Sequence, residues 1–429
     1  RINRHSHTLQ GRQATFMPSF TLPEAFVRAI PKTDLHVHLD GSLRIDTLID
    51  LARQRNVALP AFTESGLRET VFKDQYADLG EYLQGFAYTC AVLQDSEALE
   101  RAAYELACDA FNEGVRYIEP RFAPQLHVHD NLEMPETVRA VERGLTRAAN
   151  EFNARPEIRD GREPSYGFGI IVCALRMFQK QFSEYYSRFA DVHRYSPPRA
   201  IFDMASLELA QAAARIRDEE GLSIVGFDLA GQEDGYPAHD HVRAYDYAHS
   251  HFLHKTVHAG EAYGPESIFE AITRLHADRI GHGFFLFHAG KITNSAIGDP
   301  DEYVRRLAEY IADRRITLEI CLTSNLQTNP ALRSLSEHPL RRMLEAKIST
   351  TLCTDNRLVS MTTVSREIGL AVKELGLTPA QLRHSVIYGF KRSFMPLTYL
   401  KKREYVRQVI DYYDALERQF GIPGDNAAA

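Results

Sequence analysis

Short β-like runs recur along the chain and alternate with segments whose apolar residues repeat with helical periodicity. Several of the runs are apolar at nearly every position, as in parallel strands that are buried on both faces. The alternation therefore predicts a parallel sheet with helices packed against it. The predicted strands are 33–40, 115–123, 166–175, 222–230, 255–260, 278–282, 317–324 and 348–355.

Eight such strand and helix units predict an α/β fold, specifically a (β/α)8 barrel. The segment between the first two strands is too long for one helix, and it holds several helical patches. It predicts a helical insertion between strands 1 and 2 that covers the active site. We expect a flexible arm over residues 1–20, one barrel domain over 21–420 and a flexible tail over 421–429.

Composition narrows the class of protein. The 429 residues are 44% apolar and 25% charged, with a net charge of −7, so nucleic-acid partners are not expected. No apolar run approaches the ~20 residues that span a bilayer, so no membrane association is expected. The five cysteines are widely spaced and form no CxxC pair, which favours free thiols and a cytoplasmic location. The oligomeric state is left open.

Candidate metal ligands lie at the predicted strand ends. His36 and His38 are two residues apart, so a strand would project both imidazoles from one face. His258 and Asp355 also end predicted strands, and the carboxyl ends of all barrel strands meet at one mouth. Three imidazoles and one carboxylate suit Zn²⁺ or a similar divalent ion with a position for water.

Two further residues suggest hydrolytic chemistry beside such an ion. Glu261 lies three residues past His258, near the metal without having to bind it, and could exchange a proton. His282 ends another strand and could hydrogen-bond the hydroxide or a developing oxyanion. Asp228 could be a structural carboxylate or a catalyst, and both interpretations are kept.

Other histidines favour structural interpretations. His127 and His129 follow the second strand in a predicted loop and are not expected to bind the principal metal. A further group is expected on an exposed helix face: His239, His241, His249, His251 and His254. The sequence contains no phosphate-binding loop, no GxSxG elbow and no Pro-Cys-x-x-Cys deaminase motif.

The ordered motifs resemble the adenosine deaminase family of the amidohydrolase superfamily, from about Pro31 to Pro396. Each motif alone is weak, and their order and spacing carry the resemblance. They are PKTDLHVHLDGSL (31–43), VRYIEPRFAP (115–124), GFDLAG (226–231), KTVHAGE (255–261), RIGHG (279–283), SN (324–325), HP (338–339) and CTDN (353–356).

The resemblance implies a role for each matching residue. His36, His38, His258 and Asp355 would bind one Zn²⁺ per chain. Glu261, His282 and Asp355 would be catalytic: Glu261 would protonate purine N1, Asp355 would accept the water proton, and His282 would orient the metal hydroxide that attacks C6. The implied substrate contacts are His38, Asp40 to the ribose 5′-hydroxyl, the Gly231 N–H to ring N3, and Asn356 to ring N7.

The implied function is deamination of adenosine or 2′-deoxyadenosine to inosine or deoxyinosine plus ammonia. Asn356 replaces the more common Asp of the family, and its amide can also donate a hydrogen bond, but the exact substrate is left open. Adenine, N6-methylated AMP and 6-aminodeoxyfutalosine are alternatives. Rival hypotheses are another amidohydrolase-type metal hydrolase and a non-catalytic purine-binding protein.

Overall fold

The computed structural model describes residues 22–423. The predicted arm over 1–20 and residues 424–429 of the predicted tail lie outside the described residues. Within the described part, no helix is both long and apolar enough to cross a lipid bilayer.

Nine parallel strands form one sheet among the described residues. Eight of them follow in the order β1-β2-β4-β5-β6-β7-β8-β9, and the two-residue strand β3 pairs with β2. A bridge between Val37 and Asp355 brings the last strand back to the first. The strands are β1 Lys32–His38, β2 Val115–Phe122, β3 Gly167–Phe168, β4 Ile170–Leu175, β5 Ile224–Ala230, β6 His254–Ala259, β7 Arg279–His282, β8 Thr317–Ile320 and β9 Ser349–Leu352.

Eighteen α-helices accompany these strands in residues 22–423. Helices follow each strand of the closed path, so the predicted (β/α)8 barrel is confirmed. The helices are α1 Glu24–Ala29, α2 Ile45–Gln54, α3 Glu64–Thr70, α4 Leu79–Leu83, α5 Gly85–Val92, α6 Ser96–Asn112, α7 Met134–Asn153, α8 Pro156–Arg159, α9 Glu184–Val192, α10 Pro198–Glu220, α11 Val242–Ser250, α12 Pro265–Arg274, α13 Pro300–Asp313, α14 Leu322–Thr328, α15 Leu340–Glu345, α16 Val364–Leu375, α17 Pro379–Arg392 and α18 Tyr399–Phe420.

The insertion between β1 and β2 consists of the five helices α2 to α6. Phe86 of α5 approaches the end of β1, with its ring centroid 6.2 Å from that of His38. Tyr82 of α4 is 1% exposed and hydrogen-bonds Asn356 beyond the end of β9. The insertion therefore covers the mouth of the barrel, as its length predicts.

Two sequence expectations are wrong in detail. The predicted strand 317–324 ends at Ile320, and the rest of that apolar run enters α14, because a short buried run does not distinguish a strand from a helical turn. His241 was expected on an exposed helix face, but it is fully buried, with Nδ1 2.7 Å from the Ser206 hydroxyl. His249 is exposed on α11, in agreement with the expectation, whereas His254 is exposed on the first residue of β6 and not on a helix.

Close packing between α6 and α7 gives a test of the fold. A Cβ on Gly144 of α7 would lie 2.2 Å from the carbonyl oxygen of Glu100 in α6. We expect Gly144→Ala to lower the free energy of unfolding by about 1–3 kcal/mol, since the helices must move apart. At Gly369 of α16, no described atom beyond the residue's own helix neighbourhood lies within 4 Å of an added Cβ. Gly369→Ala should therefore raise the free energy of unfolding by about 0.5–1 kcal/mol. Urea titrations of both variants measure the difference, and equal effects would contradict the packing.

Candidate active site

Four predicted ligands lie together at the mouth of the barrel. His36 and His38 end β1, His258 belongs to β6, and Asp355 follows β9. One ligand atom from each lies within 4.8 Å of the others, and all four residues are buried. Nε2 of His38 is 3.2 Å from Nε2 of His258. Oδ1 of Asp355 is 3.4 Å from Nε2 of His36 and 3.5 Å from Nε2 of His38.

These separations fit one divalent cation. Tetrahedral ligands at bond lengths of 2.0–2.1 Å lie roughly 3.3–3.4 Å from one another. Nε2 of His36 is buried and has no hydrogen-bond partner among the described residues, and a cation between the four ligands would satisfy it. Imidazole and carboxylate are the ligands that first-row divalent metals use in such sites. The residues therefore form a candidate His/Asp metal site.

Two of the imidazoles are each oriented by a carboxylate that lies behind the ring. Nδ1 of His36 lies 2.7 Å from Oε2 of Glu319 in β8, and Nδ1 of His258 lies 3.1 Å from Oδ2 of Asp228 in β5. Each carboxylate accepts the Nδ1 proton, which directs the Nε2 lone pair at the cation position. Asp228 is thus a positioning residue, which resolves the choice left open by the sequence. Glu319 was missed, although a charged residue inside a buried strand is a usable signal.

Two buried arginines hold these carboxylates. Arg121 lies 2.9 Å from Asp228 and 3.0 Å from Glu319. Arg279 lies 2.6 Å from Glu319 and also contacts Glu119. Each of the five side chains is at most 1% exposed. We call this group the buried ion layer. It joins four strands directly beneath the metal ligands.

The surroundings set the protonation of the ligands. Burial lowers the pKa of His38 and of His258, which keeps these imidazoles neutral, the form that binds metals. Burial also opposes the charged form of His36, but contacts with Asp355 and Glu319 outweigh it and raise the His36 pKa. Burial likewise opposes ionisation of Asp355, yet the neighbouring histidines hold the pKa of its carboxyl well below the ordinary value.

Glu261 is held by a loop that another glutamate organises. The buried carboxylate of Glu233 accepts hydrogen bonds from the backbone N–H groups of residues 260–263, at 2.6 to 3.0 Å, and from the Ser267 hydroxyl at 2.6 Å. Burial, with the charges of Asp355 and Glu233, raises the pKa of Glu261 to about 8. The raised pKa favours the protonated carboxylic acid of Glu261 near neutral pH. The sequence analysis missed Glu233.

A chain of hydrogen bonds fixes the proton on His282. The backbone N–H of Leu340 donates to Nδ1 of His338 at 3.1 Å, so the proton of this neutral imidazole is on Nε2. That N–H donates to Oδ1 of Asn325 at 3.2 Å, which turns Nδ2 of the amide toward Nδ1 of His282, 3.1 Å away. His282 therefore carries its proton on Nε2, which lies 3.6 Å from Oε1 of Glu261.

Backbone conformation also marks this end of the barrel. His282 has φ of 64° and Asp355 has φ of 61°, in the left-handed region that non-glycine residues avoid. Gly231, directly after β5, has φ of 92°, where a side chain would be strained. Such conformations are commonly retained at functional sites because the surrounding contacts impose them.

The remaining predicted contacts line the same mouth. Asp40 is buried, and burial raises the pKa of its carboxyl to about 7. Nδ2 of Asn356 donates to Oη of Tyr82 at 2.7 Å, and Oη lies 2.7 Å from Oγ of Ser360. Oδ1 of Asn356 is buried without a partner among the described residues. The contact with Tyr82 joins the insertion to Asn356 and was not anticipated from the sequence.

Comparisons with known proteins identify the family of this chain. The adenosine deaminase family profile matches residues 31–205 and 199–412. Adenosine deaminase 1 of Streptomyces coelicolor is 36% identical over 86% of this chain and 84% of its own length. Adenosine deaminase of Mycobacterium marinum is 35% identical over 90% of this chain and 95% of its own length.

A solved structure supports the fold. The crystal structure of adenine deaminase from Arthrobacter aurescens superposes with a TM-score of 0.70 at 22% sequence identity, covering 90% of this chain and all of that one. The sequence comparisons thus confirm the predicted family resemblance, and the solved structure supports the fold. The chain belongs to the adenosine deaminase family, and it is a hydrolase of carbon–nitrogen bonds in cyclic amidines.

Proposed function

We propose that this protein hydrolyses the 6-amino group of a purine nucleoside, converting adenosine or 2′-deoxyadenosine to inosine or deoxyinosine plus ammonia. The observation that carries the proposal is the position of Glu261 on the loop that follows His258, where its side chain is 8% exposed and lies 3.6 Å from His282. The surroundings raise the pKa of its carboxyl to about 8, which favours a proton donor. Purine deamination needs an acid beside a nucleophile, and this is the pairing that the site offers. Relatives named adenosine deaminase support the choice of substrate.

The metal we propose is one zinc ion per chain, bound by His36, His38, His258 and Asp355. Three imidazoles and one carboxylate at these separations suit zinc. When bound, such an ion supplies hydroxide near neutral pH by lowering the pKa of water. The carboxylates behind His36 and His258 would hold these two rings in the orientation that the ion requires.

The catalytic roles follow from the protonation states. Glu261 donates its proton to purine N1, which draws electrons from C6 and prepares that carbon for attack. Asp355 is ionised and accepts the proton of the attacking water. His282 presents its Nε2–H to the oxygen that adds at C6 and stabilises the charge that develops there. The proton held by Asp355 then passes to the amino group, which leaves C6 as ammonia, and the hydroxyl proton on C6 returns to Glu261 as the 6-oxopurine forms.

Substrate contacts complete the proposal. Gly231 offers its backbone N–H to ring N3, Asp40 meets the ribose 5′-hydroxyl, and His38 lies against the substrate beside the metal. Asn356 faces ring N7. Rotation of its amide by 180° would let the Tyr82 hydroxyl donate to Oδ1 and free Nδ2 to donate to the ring.

We also place the enzyme in the cytoplasm, with a small purine nucleoside as its ligand and neither nucleic acid nor membrane as a partner. All five cysteines are free thiols, and four of them are buried, as is usual in a reducing compartment.

The acid role of Glu261 has a direct test. In Glu261→Gln, loss of the donated proton should lower kcat for adenosine by about 10²- to 10⁴-fold, while the bound metal content stays unchanged. The assay follows loss of the adenosine absorbance together with released ammonia. A panel of adenine, adenosine, 2′-deoxyadenosine, AMP and 6-aminodeoxyfutalosine under the same conditions identifies the substrate. Full activity of the variant, or no nucleoside turnover by the natural chain, would refute the proposal.

The pH profile tests the same group independently. Glu261 has a raised pKa of about 8, so the active protonated form is present below this pH and is lost as pH rises through it. We expect kcat/KM to fall on the alkaline side with an apparent pKa no higher than about 8, because a bound cation favours the ionised carboxyl and lowers the value. Residual activity of Glu261→Gln should lack this alkaline loss. An unchanged alkaline limb in that variant would assign it to another group.

His338 should control catalysis through the tautomer of His282. In His338→Phe the hydrogen-bond chain loses the donor that orients Asn325, so we expect kcat to fall by about 10- to 100-fold with little change in KM. His338→Gln can still donate to Asn325 and should recover much of the loss. His288→Phe, which lies outside the chain, is the matched control. Equal kinetics for His338→Phe and His288→Phe would exclude this role.

A further inference from the structure

A second cluster of potential metal ligands lies beside the first and shares no residue with it. Asp40 follows β1, Cys90 belongs to α5 of the insertion, and His127 follows β2. One ligand atom from each lies within 4.8 Å of the others. The three residues are buried, at 3%, 8% and 0% exposure respectively. The sequence analysis placed His127 in a loop and did not expect it to bind the principal metal.

The imidazole of His127 has the hydrogen-bonding pattern of a metal ligand. Its Nδ1 lies 2.8 Å from the carbonyl oxygen of Leu93, and a carbonyl can only accept, so Nδ1 carries the proton. Nε2 therefore keeps its lone pair. This atom is buried and has no hydrogen-bond partner among the described residues. Histidines bound to metals commonly donate their other N–H to a backbone carbonyl in this way.

The other two residues also offer a ligand atom to this cluster. Oδ1 of Asp40 is buried and unpaired within the described part of the chain, and Cys90 is in no disulfide. Two buried acceptors that face the same small space are unfavourable unless a donor or a cation satisfies both. A cation does so with one atom, and it also gives the thiolate a charge partner.

We propose that Asp40, Cys90 and His127 bind a second divalent transition-metal ion of the zinc or cobalt class. A sulfur, a nitrogen and an oxygen ligand match these borderline metals, whereas Mg²⁺ and Ca²⁺ require mainly oxygen. Three protein ligands leave the fourth tetrahedral position for a water molecule, as in catalytic zinc sites.

This second site would oppose catalysis, a consequence that rests on the proposed function. Asp40 is the residue that we assign to the ribose 5′-hydroxyl, so a cation that binds Asp40 removes this contact. Metal at the second site and nucleoside should therefore compete. Excess metal would inhibit the same enzyme that needs one equivalent for activity.

Cobalt spectroscopy tests the site directly. The ligands of the first site are nitrogen and oxygen, so only Cys90 can give a near-ultraviolet thiolate-to-cobalt charge-transfer band within either cluster. Metal-free protein is titrated with two equivalents of Co²⁺. We expect one such band per chain, its loss in Cys90→Ser, and its retention in Cys108→Ser, the matched control at a partly exposed thiol outside the cluster.

A second variant distinguishes loss of the second metal site from a folding defect. His127→Gln keeps the cysteine, and it should weaken cobalt binding to the band-forming site by at least tenfold while the first equivalent binds unchanged. Absence of the band through two equivalents, or its persistence in Cys90→Ser, would overturn the proposal.

Kinetics separate this proposal from the proposed function. Excess zinc should raise KM for adenosine in the natural chain and leave KM unchanged in Cys90→Ser. Inhibition that survives in Cys90→Ser would overturn the competition at Asp40. If adenosine is not a substrate, the proposed function fails on its own, and the cobalt band still decides whether the second site exists.

Discussion

The candidate active site depends on the buried ion layer beneath the proposed metal ligands. Two arginines and three carboxylates without solvent contact are costly to bury, and they are tolerated only because each charge has a partner. Glu319 and Asp228 of the layer, held by Arg121, accept the Nδ1 protons of His36 and His258. The layer therefore carries the orientation of the ligands. Removing Glu319 or Asp228 would take a charge partner from Arg121 and would release the imidazole that this carboxylate orients.

Buried neighbours also set the protonation of Glu261 and His282. Glu233 holds the loop of Glu261 through four backbone N–H groups, and its charge helps to keep Glu261 protonated. Asn325 and His338 determine which nitrogen of His282 carries a proton. The proposed catalytic groups, Glu261 and His282, are thus set by their buried neighbours. The chemistry of the site is a property of these pairs rather than of single residues.

Sequence patterns predicted the barrel and the gathering of the four ligands well, because parallel strands have a fixed period and all end at one mouth. The ligand roles themselves stay predictions. Glu233, Glu319 and the contact of Tyr82 with Asn356 could not be predicted in this way. Their partners lie far away in the sequence, and no periodicity encodes which side chains meet across a barrel. The strand end at Ile320 was missed because a short apolar run is compatible with either a strand or a helix.

The most direct test of the account is anomalous X-ray diffraction from crystals of the protein loaded with one equivalent of zinc. We expect a single strong anomalous peak bonded to Nε2 of His36, His38 and His258 and to a carboxylate oxygen of Asp355. Glu261 should lie beside the ion without binding it. A peak at another position, or an ion that lacks either His258 or Asp355 among its ligands, would contradict the central claim.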